Sequence, residues 1–170
     1  AYNHNLETSR SFYPTICTTH DWDERYQTCK NVNTVGLMLI TGGIFGMGES
    51  DEDRLSMLQV IASLNPMSVP INFFHPNEAL PITNNISSIE EAFSLVRLSR
   101  EIIGNNSRIM IAGGREITFK DRQKEIFENG ADAIVIGNYL TTNGEDSTKD
   151  HEMIHSLGFR IATSEDCIGS

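Results

Sequence analysis

Leu37-Met-Leu-Ile-Thr-Gly-Gly-Ile-Phe-Gly-Met-Gly48 is the stretch that decides the fold. The continuous apolar run Leu37–Ile40 predicts a short strand buried on both faces. Thr41–Gly48 then predicts a glycine-rich loop. Ser50, followed by acidic residues at 51 to 53, predicts the start of a helix whose apolar stripe is Leu55, Leu58 and Ile61. A buried strand, a glycine loop and a capped helix make one βα unit.

Outward from this stretch the unit repeats. Ser68–Phe74 predicts a strand, and Ser88-x-x-Glu91 predicts a capping box. That box opens a helix carrying Ala92, Leu95, Val96, Ile102 and Ile103, which stops at Gly104. Arg108–Ile111 predicts a third strand running into Ala112-Gly-Gly-Arg-Glu116, with a helix around Asp121–Asn129 stopped at Gly130. Ala133–Ile136 predicts a fourth strand ending in Gly137-Asn138, before a short helix with Met153, Ile154 and Leu157. Upstream, Thr18 or Thr19 is expected to cap a helix carrying Trp22, Tyr26 and Cys29, closed by Gly36. Four parallel strands alternating with helices, each strand ending in a glycine or polar loop, predict an α/β protein of the TIM type, half of a (β/α)8 barrel. A doubly wound sheet is the alternative. Residues 1–163 are expected to form the half-barrel and 164–170 a flexible tail.

The 170 residues suffice for a sizeable core. A formal charge of −10 without a Lys/Arg cluster argues against nucleic-acid phosphates and anionic membrane surfaces as partners. The longest apolar run, Val35–Phe45, is short and broken by glycines, so nothing is expected to span a bilayer. Cys17, Cys29 and Cys167 form no Cys-x-x-Cys pair, which fits a reducing cytoplasm better than a disulfide scaffold.

The polar chemistry is densest in Tyr2-Asn-His-Asn-Leu-Glu-Thr8. In an extended segment Asn3, Asn5 and Glu7 project to one side. Each carboxamide both donates and accepts, so the row suits a ligand offering amide N–H groups and a carbonyl. A frayed, solvated terminus is the plain alternative.

This motif continues into Phe12-Tyr-Pro-x-Ile-Cys-Thr-Thr-His20. It is followed in order by Gly42-Gly-Ile-x-Gly-x-Gly-Glu49 with Asp53-Arg54, Ser68-Val-Pro-Ile-Asn72, Ala112-Gly-Gly-Arg-Glu116, Gly130-Ala-x-x-Ile-x-x-Gly-Asn-Tyr-Leu-Thr-Thr142 and Leu157-Gly-Phe159. Together these blocks resemble the biotin synthase family of radical S-adenosylmethionine enzymes. The resemblance implies the second half of that family's barrel, opening at the end of its fourth strand, with a further half upstream. It implies cleavage of S-adenosylmethionine at a 4Fe–4S cluster, hydrogen removal from dethiobiotin and sulfur insertion. By position it implies that Asn3, Asn5 and Asn72 bind dethiobiotin. Asn5, Glu7, Arg25, Gly42 and Gly43 would contact S-adenosylmethionine, Arg25 through the methionyl carboxylate. A reducing carrier such as flavodoxin or ferredoxin, a homodimer and the cytoplasm come with it.

The chain departs from the family pattern in two ways. The radical-cluster motif Cys-x-x-x-Cys-x-x-Cys does not occur in it, so those ligands are expected upstream. Ile40 and Met110 occupy the positions where the family places a cysteine and an arginine on a 2Fe–2S cluster, which puts that cluster in doubt here. No metal ligand is therefore assigned within the chain. Cys167 as a substitute ligand, or a metal site from His151 and His155, is the weaker expectation, and His4, His20 and His75 are read as motif or solvated residues. Two alternatives follow: a related radical enzyme that inserts no sulfur, and a non-catalytic ligand-binding half-barrel.

Overall fold

The computed structural model describes residues 1–137, 146–163 and 166. Residues 1–135 form one compact unit and 136–170 a second. The first unit is built on a sheet of six strand segments in the order β1-β2-β4-β5-β6, with β3 also beside β4. These are β1 (Tyr2–Asn3), β2 (Leu39–Ile40), β3 (Gly43–Phe45), β4 (Ser68–Phe73), β5 (Arg108–Ile111) and β6 (Ala133–Ile134). All pairings are parallel, as the alternating pattern predicts. The helices are α1 (Tyr13–Ile16), α2 (Trp22–Thr34), α3 (Asp51–Ser63), α4 (Ile89–Ile103), α5 (Arg115–Phe119) and α6 (Glu125–Glu128).

Register divides the sheet into two faces, because side chains alternate along each strand. Leu39, Phe45, Val69, Ile71, Phe73, Ile109 and Ile111 are buried on one face, in a single core with Met57, Leu58 and Ile61 of α3 and Phe93 and Val96 of α4. Phe119 of α5 locks into that core, edge-on to Phe73 at 5.2 Å and tilted against Phe93 at 5.1 Å. Each such side chain contributes roughly 1.5–3 kcal/mol by leaving water. The pairings Asn3↔Ile40, Ile40↔Ser68, Pro70↔Met110 and Met110↔Ala133 place these residues together on the opposite face.

Local chemistry explains where the elements differ from expectation. The first predicted strand loses Leu37 and Met38, which are 50% and 56% exposed. Gly36 N donates to Asn33 O and Leu37 N to Val32 O, so a Schellman cap of α2 consumes Leu37, while the Met38 carbonyl accepts from Tyr2 N at 2.8 Å. Part of the expected glycine loop is a strand, β3, separated from β2 at Thr41–Gly42. Phe74 N donates to Phe45 O, so the even-numbered N–H groups of β4 face β2 and β3. Pro70 falls in that set and has no N–H to give, and the ladder breaks opposite it.

The helix expected over 121–129 is interrupted. Lys120 adopts φ +51 after α5, and a 3₁₀ turn at Lys120–Arg122 precedes α6. The last strand is shorter than expected. Asp21, rather than Thr18 or Thr19, caps α2 in a full capping box with Glu24. Leu55 stays 37% exposed while Met57 joins the buried stripe. Ser88 Oγ accepts from Glu91 N, but the Glu91 carboxylate bonds Ser87 instead of closing a box on Ser88.

In the second unit α7 (Ser147–Ser156) is capped by Asp146 and contains the expected Met153 and Ile154, with Leu157 as its C-cap. Asn138, Thr141, Thr142 and Cys167, and the tail over 164–170 apart from Asp166, lie outside the described residues.

A Cβ on Gly42 would meet the Pro70 carbonyl oxygen at 1.9 Å, whereas one on Gly104, at φ +73, meets nothing within 4 Å. Gly42→Ala is expected to destabilise by about 3 kcal/mol, and Gly104→Ala by only about 1 kcal/mol. Urea titrations of the two variants check this, and equal costs would contradict it.

Candidate functional site

The C-terminal ends of the parallel strands gather most of the residues singled out in the sequence. His4 N donates to Ile40 O and Leu6 N to Gly42 O, so Asn5 lies level with the break between β2 and β3. Regular pairing would send Gly42 N to the His4 carbonyl. That carbonyl instead accepts from Cys29 Sγ at 3.3 Å, and Asn5 Oδ1 takes Gly42 N at 3.1 Å. Asn72 works across the next gap. Its Nδ2 donates to Gly43 O at 3.1 Å and its Oδ1 accepts from Gly113 N at 2.9 Å, which fixes the orientation of the amide. Asn3 is exposed on β1, on the same face and one step nearer the strand's start.

Glu7 breaks the extended run. It has φ +69, and Thr8 N donates to Leu6 O at 2.9 Å, which makes a γ-turn centred on a non-glycine residue. The Glu7 carbonyl accepts from Ile44 N at 2.7 Å, tying the turn to β3. Arg25, reaching from α2, donates from Nε to Asn5 O and from Nη2 to Glu7 Oε1, both at 2.7 Å. Burial raises the Glu7 pKa, and Arg25 opposes the rise. The pair is partly exposed, so its worth is at most about 1 kcal/mol, and its effect is chiefly to orient both groups. His4, expected to hydrogen-bond through its ring, has a buried Nε2 without a partner among the described residues, and burial, then Arg25, lowers its pKa.

The glycines at this site have a reason within the protein. A Cβ on Gly43 would strike Met57 Sδ at 2.4 Å and the Glu7 carbonyl oxygen at 2.9 Å. Close approach of α3 and of the Glu7 turn therefore requires Gly43, as close approach of β4 requires Gly42. Ile40 and Met110 both lie on the partly open face, and neither side chain carries a thiolate or guanidinium.

Three features were not legible in the sequence. Glu49, Arg54 and Glu91 form a largely buried network. Glu49 accepts from Gly46 N and Met47 N at 2.8 Å, and Arg54 bonds Glu49 and Glu91 at 2.9 Å each. His75, expected in solvent, is half-buried with Nε2 at 2.9 Å from Thr118 Oγ1, and burial lowers its pKa. Cys17 lines a cleft of about 580 Å³ with Tyr13, Thr19 and His20. A hydrogen bond from Tyr13, then donors from Thr19 and His20, lowers the Cys17 thiol to about 6. Among the described residues no group of three or more His, Cys, Asp or Glu side chains is arranged to hold a metal ion, and no helix is long and apolar enough to cross a membrane.

A parallel α/β sheet with a carboxamide-rich site at the strand ends defines the class of protein. Residues 70–160, more than half of the chain, match the Biotin and Thiamin Synthesis associated domain, and the chain belongs to that family. Its relatives include the biotin synthases of Sulfurimonas denitrificans, 62% identical over 96% of this chain, and of Aliarcobacter butzleri, 57% identical over 95%. The resemblance read from the sequence motifs is thereby shown. The chain spans little more than half of these relatives, 58% and 57% of their lengths. In fold it is similar to methylornithine synthase, with a TM-score of 0.72 at 18% identity over 97% of this chain and 53% of that one. HMG-CoA lyase from Brucella melitensis is a more distant fold relative, with a TM-score of 0.58 at 14% identity over 93% of this chain and 58% of that one.

Alkylation of the folded protein by iodoacetamide is expected to label Cys17 with a midpoint near pH 6 and to spare Cys29, whose pKa burial raises. Tyr13→Phe should move the Cys17 midpoint upward. Peptide-resolved mass spectrometry reads both, and a Cys17 midpoint in the ordinary thiol range would contradict the assignment.

Proposed function

We propose that the chain is the substrate-facing part of a radical S-adenosylmethionine enzyme of the biotin synthase type, which converts dethiobiotin to biotin. The observation that carries the reading is the row of carboxamides along the strand ends. Dethiobiotin presents a cyclic urea, two N–H groups flanking a carbonyl. Asn5 retains its amide donors after Oδ1 takes Gly42 N, and Asn72 retains one donor and one lone pair. Held by backbone contacts, such groups meet a urea without reorganising. Asn3 extends the row on the same face. These three residues are assigned to dethiobiotin.

Asn5, Glu7, Arg25, Gly42 and Gly43 are assigned to S-adenosylmethionine. Glu7 would accept from the ribose diol, and Arg25 would meet the methionyl carboxylate, a task suited to a guanidinium fork. The Glu7–Arg25 pair favours this by keeping both groups at the strand ends before ligand arrives. S-adenosylmethionine, once reduced at a 4Fe–4S cluster, supplies the radical chemistry. This chain's own residues bind and orient the reactants. The cluster's ligands, a flavodoxin- or ferredoxin-type electron donor and a homodimeric cytoplasmic enzyme belong to the same proposal.

The test is anaerobic binding and turnover with the full polypeptide. Asn72→Ala is expected to weaken dethiobiotin about ten-fold, and Arg25→Ala to weaken S-adenosylmethionine by a similar factor while dethiobiotin is held. Thermal unfolding separates these losses from misfolding. Wild-type dethiobiotin affinity in a folded Asn72→Ala variant would sink the assignment.

The residues do not fit a 2Fe–2S cluster held in the family manner. Ile40 offers no lone pair to iron and the Met110 thioether is a poor substitute for a guanidinium. This favours a second reading, a related radical enzyme that inserts no sulfur. On this second reading, anaerobic reconstitution with an iron count and Mössbauer spectroscopy shows the radical cluster alone, with deoxyadenosine formed and no biotin, whereas biotin formation decides for the first. A 2Fe–2S signal in addition, lost on changing only upstream cysteines, would overturn the expectation.

A further inference from the structure

Glu7 is the non-glycine residue at the site whose backbone is held against its own preference. A γ-turn with positive φ at a side-chain-bearing residue persists only where its surroundings over-determine it. On the incoming side, Leu6 is fully buried and its N–H is fixed on Gly42 O. On the outgoing side, Thr8 and Ser9 are buried to 1% exposure, and Trp22 Nε1 donates to Thr8 O at 3.0 Å. The remaining anchor comes from α3. Asp53 Oδ1 accepts from both Ser9 Oγ and Ser11 Oγ at 2.5 Å.

Asp53 has a simpler reading as the third residue of α3, closing the capping box with Ser50. That task uses only its other oxygen: Oδ2 accepts from Ser50 N at 3.1 Å and Ser50 Oγ at 2.7 Å. Oδ1 is left entirely to the segment that follows Glu7. One carboxylate thus fixes a helix start with one oxygen and a segment 42 to 44 residues away with the other.

We infer that Asp53 is a positioning residue for Glu7, anchoring Ser9 and Ser11 so that the strained turn holds and the Glu7 carboxylate stays at the strand ends beside Arg25. The turn is a matter of this chain's own bonds. Only the consequence for ligand rests on the reading proposed above, in which Glu7 meets the nucleoside.

Ser9→Ala/Ser11→Ala removes both donors to Oδ1 and leaves the α3 cap intact; it also takes from Phe12 N its bond to Ser9 Oγ, which an Asp53 substitution spares. Asp53→Ala is the companion. In the full polypeptide, amide hydrogen exchange at Thr8 and Ile44, whose N–H groups define the turn, is expected to quicken about ten-fold in both variants. The amides of Phe93 and Val96 in α4 should stay within about two-fold of wild type. In a Glu7→Gly background, where glycine accepts positive φ freely, the serine changes should have almost no effect on Ile44. Unchanged exchange at Thr8 and Ile44, equal acceleration in α4, or the same acceleration in the Glu7→Gly background would each overturn the inference. S-adenosylmethionine affinity, read alongside, should fall about ten-fold in the serine variant and not fall further from Glu7→Gly. If the wild-type protein binds no S-adenosylmethionine, the proposed function fails, while the exchange result still decides the role of Asp53.

Discussion

A side chain stands in for the main chain where the site is built. The Asn5 carboxamide oxygen takes the Gly42 N–H that regular parallel pairing would give to the His4 carbonyl, and Cys29 takes that carbonyl instead. One strand over, Pro70 withholds the N–H that would have continued the ladder, and the Asn72 carboxamide bridges the strand ends on either side. Buried or half-buried backbone groups must find partners. Here two asparagines and one cysteine meet that requirement, and the exchange holds polar side chains where the strands end. The glycines follow from the same constraint. With a Cβ at Gly42 or Gly43 the sheet could not close on Pro70 or α3 on the sheet.

The first turns of the helices finish the arrangement. Arg54, on α3, joins Glu49, which holds the N–H groups of Gly46 and Met47, to Glu91 at the start of α4. One guanidinium therefore fixes the loop after β3 against the segment before α4. The adjacent Asp53 fixes the segment after β1. Three chain segments at the same end of the sheet are thus tied to neighbouring residues of one helix. This is how a parallel sheet keeps its strand-end loops from wandering, since loops there have no ladder of their own. The cost is a strained backbone at Glu7, carried by contacts on both sides of it.

The electrostatics of the site are local. Glu7 and Arg25 neutralise each other at the edge of the core, and the long-range field of an acidic chain adds nothing specific to them. A ligand with a carboxylate would compete for Arg25 and release Glu7 toward a donor.

Much of this was written in the sequence in a local code. Apolar runs at Ser68–Phe73 and Arg108–Ile111, the Ser50 and Ser88 caps and the glycine stops fix which backbone bonds close within a segment, and such bonds need only near neighbours. The ordered motifs indicated the family, because identity at a position is visible without coordinates. Register, by contrast, is settled between residues far apart in the chain. That Leu37 would be spent on the cap of α2, that Pro70 would split a strand beside it, and that Asp53 would divide its two oxygens depends on which residues face each other across the fold. The thiol of Cys17, lowered by Tyr13, Thr19 and His20, and the burial of His75 against Thr118 belong to the same class. Sequence alone determined the βα order and the chemistry on offer at the strand ends. Only the tertiary structure decided how it is oriented, because hydrogen bonds and steric contacts are made in space and the decisive ones here join segments that are distant in the chain.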